Sequence, residues 1–174
     1  VGIMSRTRFE WALIDFALWY AGAVPVPIYE SSAPSQIEWI LSDADCVALF
    51  VENDEHQSRF EEIKNSAPLC RQVWNFDSGA IEQLERNGKE ITNETIEARR
   101  TSSGLYDLAT IIYTSGTTGP SKAVETSYVQ QWTTARVTYG YMTASDRILV
   151  NLPMFHVGGI SAIVAALACG GSVA

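Results

Sequence analysis

Positive charge is in short supply in this sequence: lysine and arginine number 12 against 20 aspartates and glutamates, a formal net charge of −8. So acidic a chain repels phosphate backbones over most of its surface, which argues against nucleic acid as a partner. A single nucleotide is not excluded, because one lysine and a few backbone N–H groups suffice locally. Cysteine is scarce as well. Cys46, Cys70 and Cys169 make an odd number with no CxxC spacing. Each lies in an apolar or mixed stretch, where a thiol serves as a small buried hydrophobe. A disulfide framework or a zinc site is therefore not expected, and a reducing, cytoplasmic setting is. No cationic-then-apolar leader opens the chain, so no signal peptide is read. Residues 148–174 carry no charge, but Pro153, His156, Gly158-Gly159 and Gly170-Gly171 interrupt them. Only about ten clean apolar residues remain, too few for a transmembrane segment, and a buried helix is the reading. Both termini read as cut, the first because apolar residues begin at once and the second because it stops as a strand begins.

What is present is a globular composition. The 174 residues are 47% hydrophobic and 18% charged, enough for one domain with a real core. Residues 1–4 read as a short buried strand. Phe9, Leu13, Phe16, Ala17 and Tyr20 recur at helical spacing, and Gly22 follows as a helix stop. Strand 24–29 holds Pro25 and Pro27, which points to a sheet edge. Ser32 is placed to cap a helix bearing Ile37, Ile40 and Leu41. Residues 46–51 form a continuous apolar run, as in a parallel strand covered on both faces. A polar helix over 54–66, a strand over 72–76 and a helix over 78–87 follow. Residues 91–104, charged and poor in apolar side chains, read as a surface connection. The alternation resumes with a strand over 108–114, a loop over 116–121, a second strand over 122–126 and a helix over 128–139. A strand over 147–152 and a buried helix over 160–169 complete it. Such alternation predicts one α/β unit over residues 1–174, a mostly parallel sheet with helices on both faces.

One loop stands out. After an apolar strand, positions 114–118 hold four hydroxyl side chains, Thr114, Ser115, Thr117 and Thr118, with glycines at 116 and 119 and a lysine at 122. Glycine lets backbone approach a ligand closely, hydroxyls and N–H groups donate to phosphate oxygens, and Lys122 adds a positive charge. An ordinary polar turn with an exposed lysine has the same composition, and composition leaves the two readings level. The common nucleoside-triphosphatase loop is not present. Counted from Gly116 it requires glycine at 121 and a hydroxyl at 123, where this chain has Ser121 and Ala123.

The run Tyr113-Thr-Ser-Gly-Thr-Thr-Gly-Pro-Ser-Lys122 resembles the signature loop of the adenylate-forming superfamily, which includes acyl-CoA synthetases, peptide-synthetase adenylation domains and luciferases of the firefly type. A second segment, Leu152-Pro-Met-Phe-His-Val-Gly-Gly159, is similar to that family's Pro-x-Phe-His stretch. The segments 6–11, 25–29 and 38–42 look like long-chain fatty acyl-CoA synthetases. Beyond Gly119 the likeness shifts toward medium-chain ligases, a change near residues 119–123.

The resemblance implies part of the N-terminal domain of an ATP-dependent acyl-CoA ligase. Such an enzyme joins a fatty or related carboxylic acid to ATP as acyl-AMP, then passes the acyl group to coenzyme A, with Mg2+ as cofactor. It assigns Thr114, Ser115, Gly116, Thr117, Thr118, Gly119 and Lys122 to the ATP phosphates, and Phe155, His156 and Gly158 to the border of the acyl and pantetheine pocket. No catalytic residue and no metal ligand is assigned within this chain. The sequence departs from the pattern at Ser121, Ala123 and 127–128, and the family's adenosine contacts and second-domain lysine have no counterpart. The chain alone is thus expected to be inactive, with apolar faces and strand edges left open to self-association. A non-catalytic α/β module and a peptide-synthetase fragment remain as alternatives.

Overall fold

The computed structural model describes residues 1–114 and 120–174. Its centre is a four-stranded parallel sheet of β1 (Gly2–Met4), β2 (Val26–Ile28), β3 (Ala48–Val51) and β4 (Gln72–Asn75), in the order β2-β1-β3-β4. The strands are linked by α1 (Phe9–Tyr20), α2 (Pro34–Asp43) and α3 (Asp54–Ile63). The chain leaves β1 for one neighbour and later returns to pair β3 on its other side. With right-handed crossovers that reversal puts the connecting helices on opposite faces.

The side-chain pattern agrees. Met4, Leu49 and Val51 point into a core closed by Ile37, Ile40 and Leu41 of α2 and Phe60 and Ile63 of α3. Ile3 and Phe50, one residue out of step, face Trp11 and Ile14 of α1, as the two-residue period of a strand requires. Phe76, in a short 3-10 turn, and Ala80 of α4 (Ala80–Gly88) extend this second core. Helix α1 stops as expected: Gly22 takes φ +71°, and Ala23 N–H reaches back to the Leu18 carbonyl at 2.8 Å, the backward bond of a glycine-terminated helix.

Four readings need correction. Residues 91–104 are not merely a connection. They contain α5 (Asn93–Arg100), which buries no residue but has a Thr92 cap and a Glu97–Arg100 pair, so local signals make a helix without a core face. Ser32 does not cap α2. The cap position is Ala33, whose N–H donates to Gln36 Oε1 at 2.9 Å, and Pro34 opens the helix. The strand read over 147–152 shrinks to β7 (Arg147–Ile148). The last helix, α7 (Val157–Ala168), begins three residues early because His156 caps it.

The other strands do not extend the parallel ladder. β5 (Leu108–Thr114) and β6 (Lys122–Ser127) form an antiparallel pair, and β7 pairs in parallel with β8 (Ser172–Val173). Helix α6 (Tyr128–Tyr139) starts at once after β6, with Ser127 and Gln130 bonded reciprocally as a capping box. β2 is the edge of the four-stranded ladder, as its prolines imply, yet β5 lies against it. Ile111 N–H donates to the Pro25 carbonyl at 3.3 Å, and Thr110 Oγ1 to the same oxygen at 3.1 Å. Among the described residues no helix is long and apolar enough to cross a membrane.

Candidate functional site

Two regions carry the residues singled out by sequence, and their direction in the fold follows from four contacts. Trp19, at the end of α1, donates from Nε1 to the Ala109 carbonyl at 2.7 Å. Ile111 meets Pro25, just before β2. The buried Tyr113 hydroxyl donates to Asp43 at 2.6 Å, and Trp39, one turn earlier on α2, donates to the Ser121 carbonyl at 3.0 Å. Helix α1 ends where β2 begins, and α2 runs back from the end of β2 toward the start of β3. These contacts therefore run from the N-terminal edge of the parallel sheet part-way along α2 as the chain advances through β5 to Ser121. The Thr114–Lys122 end of the β5–β6 hairpin is thus directed toward the C-terminal edge.

At that open end Thr114 and Lys122 are partners in register, and both are exposed. Thr114 Oγ1 lies 3.5 Å from the Lys122 carbonyl oxygen, too long to hold the hydroxyl away from another acceptor. Lys122 makes no ion pair among the described residues. The root of the hairpin is fixed more firmly. Tyr113 is 3% exposed, and burial, aided by its bond to Asp43, raises its phenol well above the ordinary range. Ser115, Gly116, Thr117, Thr118 and Gly119, the rest of the expected phosphate loop, lie outside the described residues.

The second region reaches the same edge from the other side. His156 precedes α7 and accepts the Gly158 N–H on Nδ1 at 3.4 Å, so the imidazole caps the helix while staying exposed. Phe155 meets Tyr29 edge to face, with ring centroids 4.6 Å apart and planes at 71°. Met154 is buried, and its N–H donates to Thr7 Oγ1 at 3.2 Å. Tyr29 directly follows β2 and Thr7 follows β1 by three residues, so both anchors stand at the C-terminal ends of strands. Gly158 is close to Leu152, where an added Cβ would meet Cδ1 at 2.8 Å. At Gly159 the obstacle is backbone: a Cβ would lie 2.3 Å from the Pro153 carbonyl oxygen.

The same edge carries a charged group that sequence reading missed. Glu52, just past β3, accepts Arg6 N–H at 2.7 Å, Arg6 Nε at 2.9 Å and Nη2 at 2.5 Å, and the Ser5 hydroxyl at 3.2 Å. Burial alone would raise its carboxyl. The Arg6 bonds win and hold it at about 2. Ser5, Arg6 and Glu52 follow β1 and β3, on either side of the point where the strand order reverses, the place where open α/β sheets form ligand crevices. Thr7, Tyr29 and Gly159 were also missed. Only the Gly158-Gly159 pair left a sequence signal, since the partners of the other two lie more than a hundred residues away.

A parallel sheet whose strand order reverses between β1 and β3, with helices on both faces, defines a doubly wound α/β class of fold. The particular family follows from sequence: residues 1–174 match the AMP-binding enzyme family throughout, and the chain belongs to it. It is 39% identical over 164 residues to the long-chain-fatty-acid–CoA ligase FadD15 of Mycobacterium bovis, covering 90% of this chain and 27% of that protein. It is 28% identical over 167 residues to the 2-succinylbenzoate–CoA ligase of Bacillus cereus, covering 94% of this chain and 30% of that one. The chain thus spans under a third of the length of these relatives. The inhibitor-bound N-terminal domain of FACL13 from Mycobacterium tuberculosis superposes with a TM-score of 0.83 at 23% identity, over 99% of this chain and 42% of that one. ATP-bound MatB from Rhodopseudomonas palustris gives 0.82 at 22%, over 99% and 34%. At such identities these two show the fold alone, an α/β fold shared with adenylate-forming enzymes.

Proposed function

We propose that residues 1–174 form a single α/β unit of the AMP-binding domain of an acyl-CoA ligase, acting on a fatty or related carboxylic acid, ATP and coenzyme A. In this reading residues 114–119 and Lys122 grip the β- and γ-phosphates, while Phe155, His156 and Gly158 border the acyl and pantetheine path. The carboxylate attacks the α-phosphate, pyrophosphate leaves, and the thiol then displaces AMP from the acyl group. A carboxylate is already ionised at neutral pH, so His156 is given a gating and packing role and not that of a general base.

The observation that carries the reading is convergence: the Thr114–Lys122 end of the hairpin and the histidine segment are both directed toward the C-terminal edge of one sheet. The hydroxyl of Thr114 and the ammonium of Lys122 suit phosphate oxygens. They offer no carboxylate to magnesium, and no magnesium ligand is assigned to this chain. Adenylation also needs the adenosine and the carboxylate held beside the triphosphate, and this chain supplies no adenosine contact among its candidates. The chain alone is therefore expected to give no acid-dependent pyrophosphate exchange above background.

The test uses a full-length ligase carrying this segment. Lys122→Ala removes one charge-assisted contact worth about 1.5–3 kcal/mol, so ATP use falls roughly 10- to 150-fold. His156→Ala disturbs acid or thiol handling and spares ATP. Loss of ATP binding in the histidine variant, with acyl transfer intact, would overturn the assignment.

A further inference from the structure

The turn bearing His156 is attached to the parallel sheet at two separate points, through Thr7 and Tyr29, and neither of these residues is in the expected site. Residues 151–153 are exposed, and so are His156 and Val157. Between them, Met154 is tied through its N–H to Thr7 Oγ1, and Phe155 is packed edge to face on Tyr29. The first contact joins positions 147 residues apart. The anchors belong to neighbouring strands: Thr7 follows β1, Tyr29 follows β2, and β1 and β2 pair directly. The tight approach of Gly159 to the Pro153 carbonyl then transmits the turn's placement to the first turn of α7. His156, bonded to Gly158 N–H, has its ring direction set by that same turn.

We propose that Thr7 and Tyr29 are positioning residues, a two-point clamp that fixes the 154–156 turn on the sheet and thereby aims His156 into the crevice faced by the β5–β6 hairpin. Tyr29 has the more telling place. It continues from β2, the strand whose other end receives β5 at Pro25, so one strand carries both the contact to the hairpin and the contact to Phe155. What the clamp requires at position 29 is an aromatic ring, because the contact is ring to ring. At position 7 it requires a hydroxyl, because the contact is a hydrogen bond. The inference rests on the reading of His156 as a pocket residue only for its consequence in catalysis. The clamp itself is a property of this chain.

Hydrogen exchange on the 174-residue chain tests the clamp directly. Tyr29→Ala raises exchange of the amides at 154–160 by about tenfold, the upper range of an aromatic pair's contribution, and leaves β3 and α3 unchanged. Tyr29→Phe restores protection. Thr7→Val has the same local effect as Tyr29→Ala, and Thr7→Ser does not, so the second point stands independently should Tyr29→Ala fold poorly. Unchanged exchange at 154–160 in both Tyr29→Ala and Thr7→Val, or an equal rise across the whole chain, overturns the proposal. A second measurement separates it from the functional reading. In a full-length ligase carrying this segment, Tyr29→Ala raises KM for the acid or for coenzyme A several-fold with KM for ATP unchanged, and Tyr29→Phe recovers it. A local exchange rise without that KM split supports the clamp and removes His156 from the pocket.

Discussion

Asp15 offers a sharp quantitative test of the packing. It lies on the inner face of α1, 1% exposed, and its Oδ2 has no hydrogen-bond partner among the described residues. The neighbouring Tyr128 phenol is itself pushed up, by burial first and in part by Asp15. Among the described residues no cation pairs with the carboxylate, and burial pushes Asp15 up to about 8 from an ordinary 3.8. The sign follows directly. An acid whose folded pKa is raised binds more protons when native than when unfolded, so its contribution to stability falls as pH rises between those two values. One extra bound proton makes the slope about 1.4 kcal/mol per pH unit, or roughly 4 kcal/mol between pH 4 and pH 7. Asp15→Asn keeps the shape and removes the proton. Urea unfolding of both proteins at several pH values between about 5 and 7 gives the difference curve, whose slope is independent of any fixed penalty from the new amide. The expected result is wild type losing about 1.4 kcal/mol per unit relative to the variant. A flat difference over that range would refute the reasoning, because it would mean the native carboxyl is solvated or paired.

Glu52 should show the opposite sign. Its carboxyl is held at about 2, so its stabilisation is present above the ordinary carboxylate range and is lost as pH falls toward 2. Arg6 is 70% exposed, which limits the cost of Glu52→Gln to about 2 kcal/mol at neutral pH, read by the same urea assay, and to nothing at the acid extreme. Self-association is expected from an open groove of about 890 Å³ between α1 and the β7–β8 pair, where Phe9 is 75% and Leu149 73% exposed. Sedimentation should show a concentration-dependent species that Phe9→Asp with Leu149→Asp reduces, and a monomer at every concentration would count against it.

Much of the fold was legible because its signals are local. Strand 108–114 and helix 128–139 emerge with the boundaries read from sequence, and in the structure Ser127 caps that helix. Face assignment was legible too, since Ile3 and Met4 must point opposite ways. Sheet membership was not. Nothing in residues 108–127 says that their antiparallel pair will stand beside β2 instead of joining its ladder. That outcome depends on Pro25 and Pro27, neither of which can donate, so β5 is received by the single Pro25 oxygen and no regular ladder propagates. The helix at 93–100 was missed for the converse reason: periodicity of apolar residues is the main helix signal, and a helix that buries nothing has none.

The site divides along the same line. The lysine, the hydroxyls and the histidine are visible in sequence because their chemistry is in the residue types and their spacing. The residues that aim them are invisible, because Thr7 and Tyr29 are ordinary side chains whose partners are set by topology. Strand order is what brings them together. β1 lies between β2 and β3, so the loops after all three strands open at one edge, and β5, received beside β2 at Pro25, is directed toward it. The Thr114–Lys122 end of the hairpin and the histidine turn are thus directed to a shared edge before any contact between them exists. A substitution that leaves every expected site residue intact but moves β5 off β2 should therefore separate the two functions. Thr110 is the place to make it, since its hydroxyl and the Ile111 N–H converge on the single Pro25 oxygen.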